Sequence, residues 1–302
     1  MPSNLSLVRR AVAVAALLCA LVPSAQATGD PPVTLREMLA QAMSRGAITY
    51  PAYKGQWQLI LAPAYVKAQD SRKGLSNDLN GYGFTAAATY GMSRHWTAGF
   101  MAGYAKVSGP RTFGLSPADS NGYHAPLATT KSGTAPGGYD RGAGVMTFMS
   151  AIWDHWTGDN FRLPVTMGVG YLNLEESADN PSIGLKHYGE VRSPTVAVGV
   201  APAFNLGRLF RMTSYLIMVQ PLDAGQGHIV DYNPGTKAVN SRLDYTRDSS
   251  PMETMVPIMG IELTYRPWGL GFGYTPAIEG ATAYSLKWTH RWGPKSAADV
   301  ID

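Results

Sequence analysis

Bulky apolar residues alternate with small or polar residues along most of this chain, beginning near Gly55. In the stretch "WQLILAPAYVK", the bulky residues Trp57, Leu59 and Tyr65 occupy odd-numbered positions, and Gln58 occupies an even-numbered one. A period of two places successive side chains on opposite faces and is typical of β-strands. Alternation is less regular over 144–156 and 209–222. The pattern predicts ten strands, over about 56–67, 79–91, 95–107, 143–156, 160–174, 191–206, 209–222, 254–266, 268–275 and 281–292.

The predicted connections alternate between two lengths. Short turns are expected at 92–94, 157–159, 207–208 and 267, and long polar loops at 68–78, 108–142, 175–190 and 223–253. Tight turns therefore meet at one end of the sheet, together with both ends of the chain. An even strand number with this asymmetry is typical of membrane-spanning barrels. We predict an all-β fold, a single-chain antiparallel transmembrane β-barrel of about ten strands over residues 55–293.

The two faces of the predicted strands differ in a way that favours a membrane over water. One face is consistently bulky and apolar, and the opposite face carries Gly, Ala, Thr and scattered charges. A soluble barrel would place its bulky face inside, where those residues fill a core. Only 15% of the chain is charged, against about 25% in average soluble domains, and there are 33 glycines. The pattern predicts lipid outside and a tight, partly polar lumen.

The N-terminus has the features of an export signal. Arg9 and Arg10 precede an apolar run over 11–22, and Ala25-Gln26-Ala27 has the small-x-small pattern of a cleavage site. The run is short for a transmembrane helix, which needs about 20 residues. We therefore predict a signal peptide at residues 1–27.

Charge and cysteine content exclude several other classes. Cys19, the single cysteine, lies in the predicted signal peptide, so the mature chain is expected to have no thiol and no disulfide. Removing Arg9 and Arg10 from the 25 basic residues leaves 23 against 21 acidic ones, a net charge of about +2. That excess is too small to indicate a nucleic-acid partner.

One segment before the barrel has a helical period. Over 34–46, within the N-terminal segment 28–54, the apolar residues Leu35, Met38, Leu39 and Met43 form one stripe. The helix has two possible positions. It lies in the periplasm or on the membrane surface, or it enters the lumen as a plug. Room for a plug would come from the inward-facing glycines Gly81, Gly83, Gly99, Gly103, Gly168, Gly170 and Gly199.

The final strand resembles a barrel assembly signal. In "AYSLKWTHRW", Tyr284, Leu286, Trp288 and Trp292 alternate with polar residues, and the strand ends on an aromatic residue. With the strands above, this makes the chain resemble bacterial outer-membrane β-barrel proteins of the general porin-like class. The resemblance implies a Gram-negative outer membrane, recognition by the barrel assembly machinery, and contact with lipid and lipopolysaccharide. The chain differs from this class in continuing past the terminal aromatic residue with "GPKSAADVID". We predict that residues 294–302 form a periplasmic tail.

Charged residues on the small face are the clearest candidate site. They are Arg162, Arg211, Glu262, Arg266, Lys287 and Arg291. A charge facing lipid at the midplane costs about 2 to 4 kcal/mol, so these residues are expected in the lumen or at its rim. One interpretation is a basic periplasmic mouth that favours anions, and small solutes would then be the partners. The other is an internal salt-bridge network, with Glu262, that braces a narrow barrel.

The loops offer an enzymatic alternative. His124, His187 and His228, with Asp231, Asp244 and Asp248, lie in predicted loops, and His228 with Asp231 would suit a general-base pair. We find no nucleophile motif, no metal set and no cofactor motif. An autotransporter-like translocator would need more than residues 28–54 as its passenger. The sequence therefore favours a narrow pore or a structural envelope protein over an outer-membrane hydrolase with its site in the extracellular loops.

Overall fold

The computed structural model describes residues 35–44, 51–72, 75–115, 133–157, 160–223, 225–246, 256–278 and 281–294. The predicted signal peptide lies outside these residues. The elements are α1 (Leu35–Ser44), β1 (Trp57–Arg72), β2 (Leu75–Gly91), β3 (Trp96–Leu115), β4 (Gly133–Thr157), β5 (Phe161–Asn180), β6 (Leu185–Val200), β7 (Ala203–Leu206), β8 (Phe210–Pro221), β9 (Gln226–Tyr232), β10 (Val239–Thr246), β11 (Val256–Tyr265), β12 (Leu270–Ile278) and β13 (Ala281–Trp292).

The strands form a closed antiparallel barrel with ten wall strands, as the alternation predicted. Each wall strand pairs with its neighbours in sequence, and β1 pairs with β13 to close the ring. β6 and β7 form one wall strand, since both pair with β5 and β8 in a continuous register across Ala201 and Pro202. The remaining two strands, β9 and β10, form a hairpin outside the ring.

Strand structure extends into each of the predicted long loops, within the residues that the structure describes. β1 and β2 continue their pairing up to Arg72 and Leu75, and β3 and β4 pair as far as Leu115 and Gly133. The loop predicted at 223–253 contains the β9–β10 hairpin, which adds to the upper part of β6. The prediction missed these parts because Gly, Pro and polar residues interrupt the alternation there, although the backbone hydrogen bonds continue.

The outer surface carries two belts of aromatic side chains. The lower belt, at the short-turn end, includes Trp57, Tyr90, Trp96 and Trp292, and the upper belt includes Tyr65, Tyr82, Tyr104 and Tyr284. On β1, β2, β3 and β13 the two belts are separated by eight residues. Eight residues of about 3.3 Å, tilted by about 40°, span a height of about 20 Å, close to the apolar band of outer-membrane barrels.

The described part of the chain contains one α-helix, α1, over Leu35–Ser44. No helix within the described ranges is long and apolar enough to cross a membrane.

We predict that a cation between the belts destabilises the barrel. Met149 is 66% exposed on the outer face of β4, opposite Phe100 of β3, and lies midway between the belts. Met149→Arg should lower the free energy of unfolding in lipid vesicles by about 2 to 4 kcal/mol, because the guanidinium enters hydrocarbon. Urea unfolding followed by tryptophan fluorescence measures this change.

The matched control is Val239→Arg in β10, which is 65% exposed but belongs to the hairpin outside the ring. It should leave the free energy of unfolding nearly unchanged. Equal losses in the two variants would contradict the assignment of the lipid-facing band.

Candidate functional site

The helix α1 lies inside the barrel. Its side chains from Met38 to Ser44 are between 0 and 4% exposed, and it contacts β1 to β5, β11 and β13. Met38, Leu39 and Met43 belong to one apolar cluster with inward-facing wall residues. The side chain of Leu35 lies outside the described set. Of the two positions that the sequence left open, the helix occupies the lumen.

Two wall glycines allow the helix backbone to approach closely. A Cβ added at Gly83 would lie 2.4 Å from the carbonyl oxygen of Ala42, and one at Gly103 would lie 2.3 Å from that of Met43. Thr85, between them in space, donates a hydrogen bond of 2.7 Å from Oγ1 to the carbonyl oxygen of Met43. The last turn of α1 therefore fits against β2 and β3.

The other predicted glycines allow close packing within the wall. The atoms nearest to an added Cβ belong to neighbouring strands at Gly81, Gly99, Gly168, Gly170 and Gly199. The sequence analysis missed Gly144, where an added Cβ would lie 3.2 Å from Met43 Sδ. Its signal was its place in the alternation of β4.

The upper lumen is an apolar core, which differs from the partly polar interior that we expected. Inward-facing Val66, Leu79, Val107, Leu172 and Ile258 are at most 2% exposed and belong to the cluster that contains α1. The helix explains the difference, because its Met and Leu side chains need apolar partners. The sequence analysis treated small residues as typical of the whole inner face, although large apolar side chains also point inward.

A second segment lies against the inner wall at the short-turn end, and we call residues 51–56 the mouth segment. Its Ala52 N–H donates to Thr97 Oγ1 at 3.1 Å, and Thr97 donates back to the Ala52 carbonyl at 3.2 Å. The backbones of Gly55 and Gln56 exchange two further hydrogen bonds with Gly91. The mouth segment is thus held like an additional short strand.

Arg162, at the start of β5, also binds the mouth segment. Its guanidinium lies 4.9 Å from the ring centroid of Tyr53 and donates to the Tyr53 hydroxyl at 3.2 Å. The same guanidinium pairs with Asp154 at 3.1 Å, and the Asp154 side chain is 1% exposed. Arg162 therefore joins the base of β4 and β5 to the segment that precedes β1.

Lys287 and Glu262 form a buried ion pair that crosses β12. Lys287 Nζ lies 2.6 Å from Glu262 Oε1, and both side chains are 8% exposed. Thr264 donates a hydrogen bond of 2.6 Å to the same oxygen. β12 presents Gly271 and Gly273 beneath the pair, and a Cβ at Gly271 would lie 3.1 Å from Glu262 Oε1. Alternate glycines in "GLGFGY" were the available sequence signal.

The remaining predicted charges are spread over the same end of the barrel. Arg211 is 2% exposed and its Nε donates to Asn205 Oδ1 at 3.1 Å. Arg291 is half-buried on the inner face of β13. Arg266 lies at the rim, in the 3-10 turn Arg266–Trp268, and donates to the Arg208 carbonyl at 3.2 Å. These residues share one end of the barrel but do not form one cluster.

The residues of the proposed assembly signal point outward on β13. Tyr284, Leu286, Trp288 and Trp292 are 39 to 55% exposed. His290, a polar residue on this lipid-facing side, lies between the two tryptophans, with ring centroids 5.5 Å from Trp288 and 5.6 Å from Trp292. Ring contacts with two indoles accommodate the imidazole in the lower belt.

The histidines and aspartates of the predicted loops do not converge. His228 stacks on Tyr188 at 5.2 Å and lies opposite Asp244 in the hairpin, whereas Asp231 is three residues away, on the other face of β9. The predicted His228 and Asp231 pair is therefore wrong, since an odd spacing on a strand separates the two side chains. His187 is 7% exposed on β6, and His124 and Asp248 lie outside the described residues.

The hairpin is attached to β5 and β6 by a structural contact. Tyr232 donates a hydrogen bond of 3.0 Å to Asp179, and burial together with that carboxylate raises the pKa of Tyr232 to about 12. Among the described residues, no group of three His, Asp or Glu side chains is arranged to hold a metal ion.

We predict that the buried pair contributes to stability through charge compensation. Lys287→Met leaves the Glu262 carboxylate buried without its cation and should lower the free energy of unfolding by about 3 to 5 kcal/mol. The double variant Lys287→Met/Glu262→Gln should lose much less. A double-mutant cycle from urea unfolding measures the coupling, and strictly additive losses would show that the two groups do not interact.

No protein-family model matches the chain, and no curated protein sequence matches it. Solved barrel structures match in fold at low identity. The translocator domain of the autotransporter NalP from Neisseria meningitidis is 10% identical over 85% of this chain and 94% of its own, with a TM-score of 0.45. The transport unit of the autotransporter AIDA-I from Escherichia coli is 11% identical over 83% and 94%, with a TM-score of 0.44.

The outer membrane protein OprG from Pseudomonas aeruginosa is 9% identical over 81% of this chain and 99% of its own, with a TM-score of 0.41. At these identities the likeness is to the barrel fold alone. The closed ring of ten wall strands, the two aromatic belts and the tight turns at one end are together the architecture of an outer-membrane β-barrel protein.

Proposed function

We propose that this protein is a gated outer-membrane barrel that is closed while α1 occupies the lumen and passes small solutes when α1 leaves it. The observation that carries the proposal is the complete burial of α1 from Met38 to Ser44 inside the wall. A barrel of ten strands is little wider than a barrel of eight strands. In an eight-stranded barrel, side chains already fill the interior. A helix in that space obstructs the passage of solutes.

The attachment of the helix supports movement rather than permanent fixation. Within the described ranges, one hydrogen bond joins the wall to the backbone of α1, from Thr85 Oγ1 to the carbonyl oxygen of Met43. Gln41 is 4% exposed and its Oε1 has no hydrogen-bond partner within the described part of the chain. A buried acceptor without a partner costs about 1 to 3 kcal/mol, which offsets part of the apolar packing that keeps the helix in place.

The basic mouth is part of the same proposal. Lys287, Arg291 and Arg211 lie on the inner face near the short-turn end, and Glu262 pairs with Lys287. Cations that line a narrow, low-dielectric opening attract anions. The proposed cargo is therefore small and anionic, entering past the mouth segment once the helix has moved.

We predict that deleting residues 34–46 raises the single-channel conductance in planar bilayers. The deletion removes the helix from the lumen, so ions gain a continuous path. The folded state of the variant is checked by the shift of its gel mobility on heating. A folded deletion variant with unchanged conductance would contradict the gate and leave a structural role.

A substitution tests the same point in the complete chain. Gly83→Ala places a Cβ at 2.4 Å from the Ala42 carbonyl and should displace α1, which raises the frequency of opening. Gly99→Ala is the matched control, because the atom nearest to its Cβ is the rotatable Ser150 hydroxyl at 2.8 Å. The control should conduct like the unaltered protein. Equal behaviour of the two variants would argue against displacement of the helix.

We also predict that the deletion variant prefers anions. In a KCl gradient its reversal potential should have the sign of chloride selectivity, since Arg291 and Lys287 line the opened lumen. Adding Arg291→Gln should move the reversal potential toward zero, whereas adding Lys237→Gln in the extracellular hairpin should not. Cation selectivity in the deletion variant would refute the basic mouth.

A further inference from the structure

Two exposed cations lie on the outer surface just beyond the upper aromatic belt. Lys106 follows the belt residue Tyr104 by two positions on β3, and it pairs in register with Tyr82 of β2. Arg141 of β4 pairs with Ser108, so Lys106 and Arg141 are diagonal neighbours about 7 to 8 Å apart at their backbones. Both side chains point away from the lumen.

The described residues do not neutralise either cation. Among the described residues, Lys106 and Arg141 form no ion pair with a carboxylate. Arg192 on β6 provides the contrast, because its guanidinium lies 3.3 Å from Glu190 and 3.8 Å from Glu175. The guanidinium of Arg141 instead lies 5.2 Å from the ring centroid of Tyr139.

The surface directly below the cations is apolar. Phe100, Tyr104, Val145 and Met149 on the same two strands are between 47 and 66% exposed and face the lipid. A molecule that covers this surface and reaches Lys106 and Arg141 must have an apolar body and an anionic head. An acidic protein or a soluble anion would satisfy the cations and leave the apolar strip uncovered.

We propose that Lys106 and Arg141 bind the phosphate headgroup of an anionic lipid in the outer leaflet, with its acyl chains along Phe100, Val145 and Met149. Arg141 suits the planar, two-point recognition of phosphate oxygens, and Lys106 supplies a second positive charge. The hydroxyl groups of Tyr82 and Tyr104 add hydrogen-bond donors at the same level. This site is on the outside of the wall, so it does not depend on whether α1 leaves the lumen.

Lipid binding to the full chain, folded in nonionic detergent, tests the proposal by native mass spectrometry. The probes are diphosphoryl lipid A and, as the lipid without net charge, phosphatidylcholine. Lys106→Gln/Arg141→Gln should weaken binding of lipid A by roughly 10- to 30-fold, from about a factor of five for each cation at a charged membrane surface. Binding of phosphatidylcholine should not change.

The matched control removes two other exposed cations from the outer part of the protein. Lys186→Gln/Lys237→Gln lowers the net charge equally and should leave lipid A binding unchanged, because both lysines lie beyond the belt in the extracellular sheet. Equal affinity of the two double variants for lipid A would overturn the proposal, whether both retain binding or both lose it. The heat-dependent shift in gel mobility verifies that each variant is folded.

Discussion

The pairing of β1 with β13 is the interaction on which the rest of the structure depends. The bilayer interior offers no water to unpaired N–H and C=O groups, so a sheet in it must close on itself. The register from Trp57 opposite Trp292 to Ala68 opposite Ala281 completes that closure. Gly55, with a φ of +78°, turns the preceding chain toward the inner wall. Closure therefore also places the mouth segment and α1 at the opening of the lumen.

The closed ring creates an interior that must be filled. Apolar side chains fill one part of it and paired charges fill another. Apolar packing fills the upper lumen around α1, and paired charges occupy the lower lumen, where Lys287 reaches Glu262 across a glycine strand. The mouth segment is held by several backbone hydrogen bonds, whereas α1 relies mainly on apolar contacts and on the bond from Thr85. In the gate proposed above, this difference in attachment makes the helix the part of the interior that moves while the wall stays paired.

Whether a charged side chain has a partner in the protein depends on whether it is removed from water. Inside, a charge is removed from water, so the buried cation Lys287 and the buried carboxylate Asp154 each have an opposite charge within 3.1 Å. Outside and above the aromatic belt, Lys106 and Arg141 remain in water and need no partner from the protein. The inner pairs thus stabilise the barrel, and the outer cations are available to the membrane.

The sequence by itself determined the strand number, the turns at the short end and the lipid-facing residues, because alternation is regular in most of the strands whose outer face meets hydrocarbon. It did not reveal the strand extensions or the β9–β10 hairpin, since Gly, Pro and polar residues interrupt the periodic signal there. The position of α1 was decided by the tertiary structure alone. Its amphipathic stripe suits a membrane surface and an apolar lumen equally, and only closure of the ring brings Gly83 and Gly103 to the helix backbone. The alternate glycines of "GLGFGY" indicated space on the inner face of β12, but the registers of β11 and β13 with β12 decided that Lys287 reaches Glu262 across it.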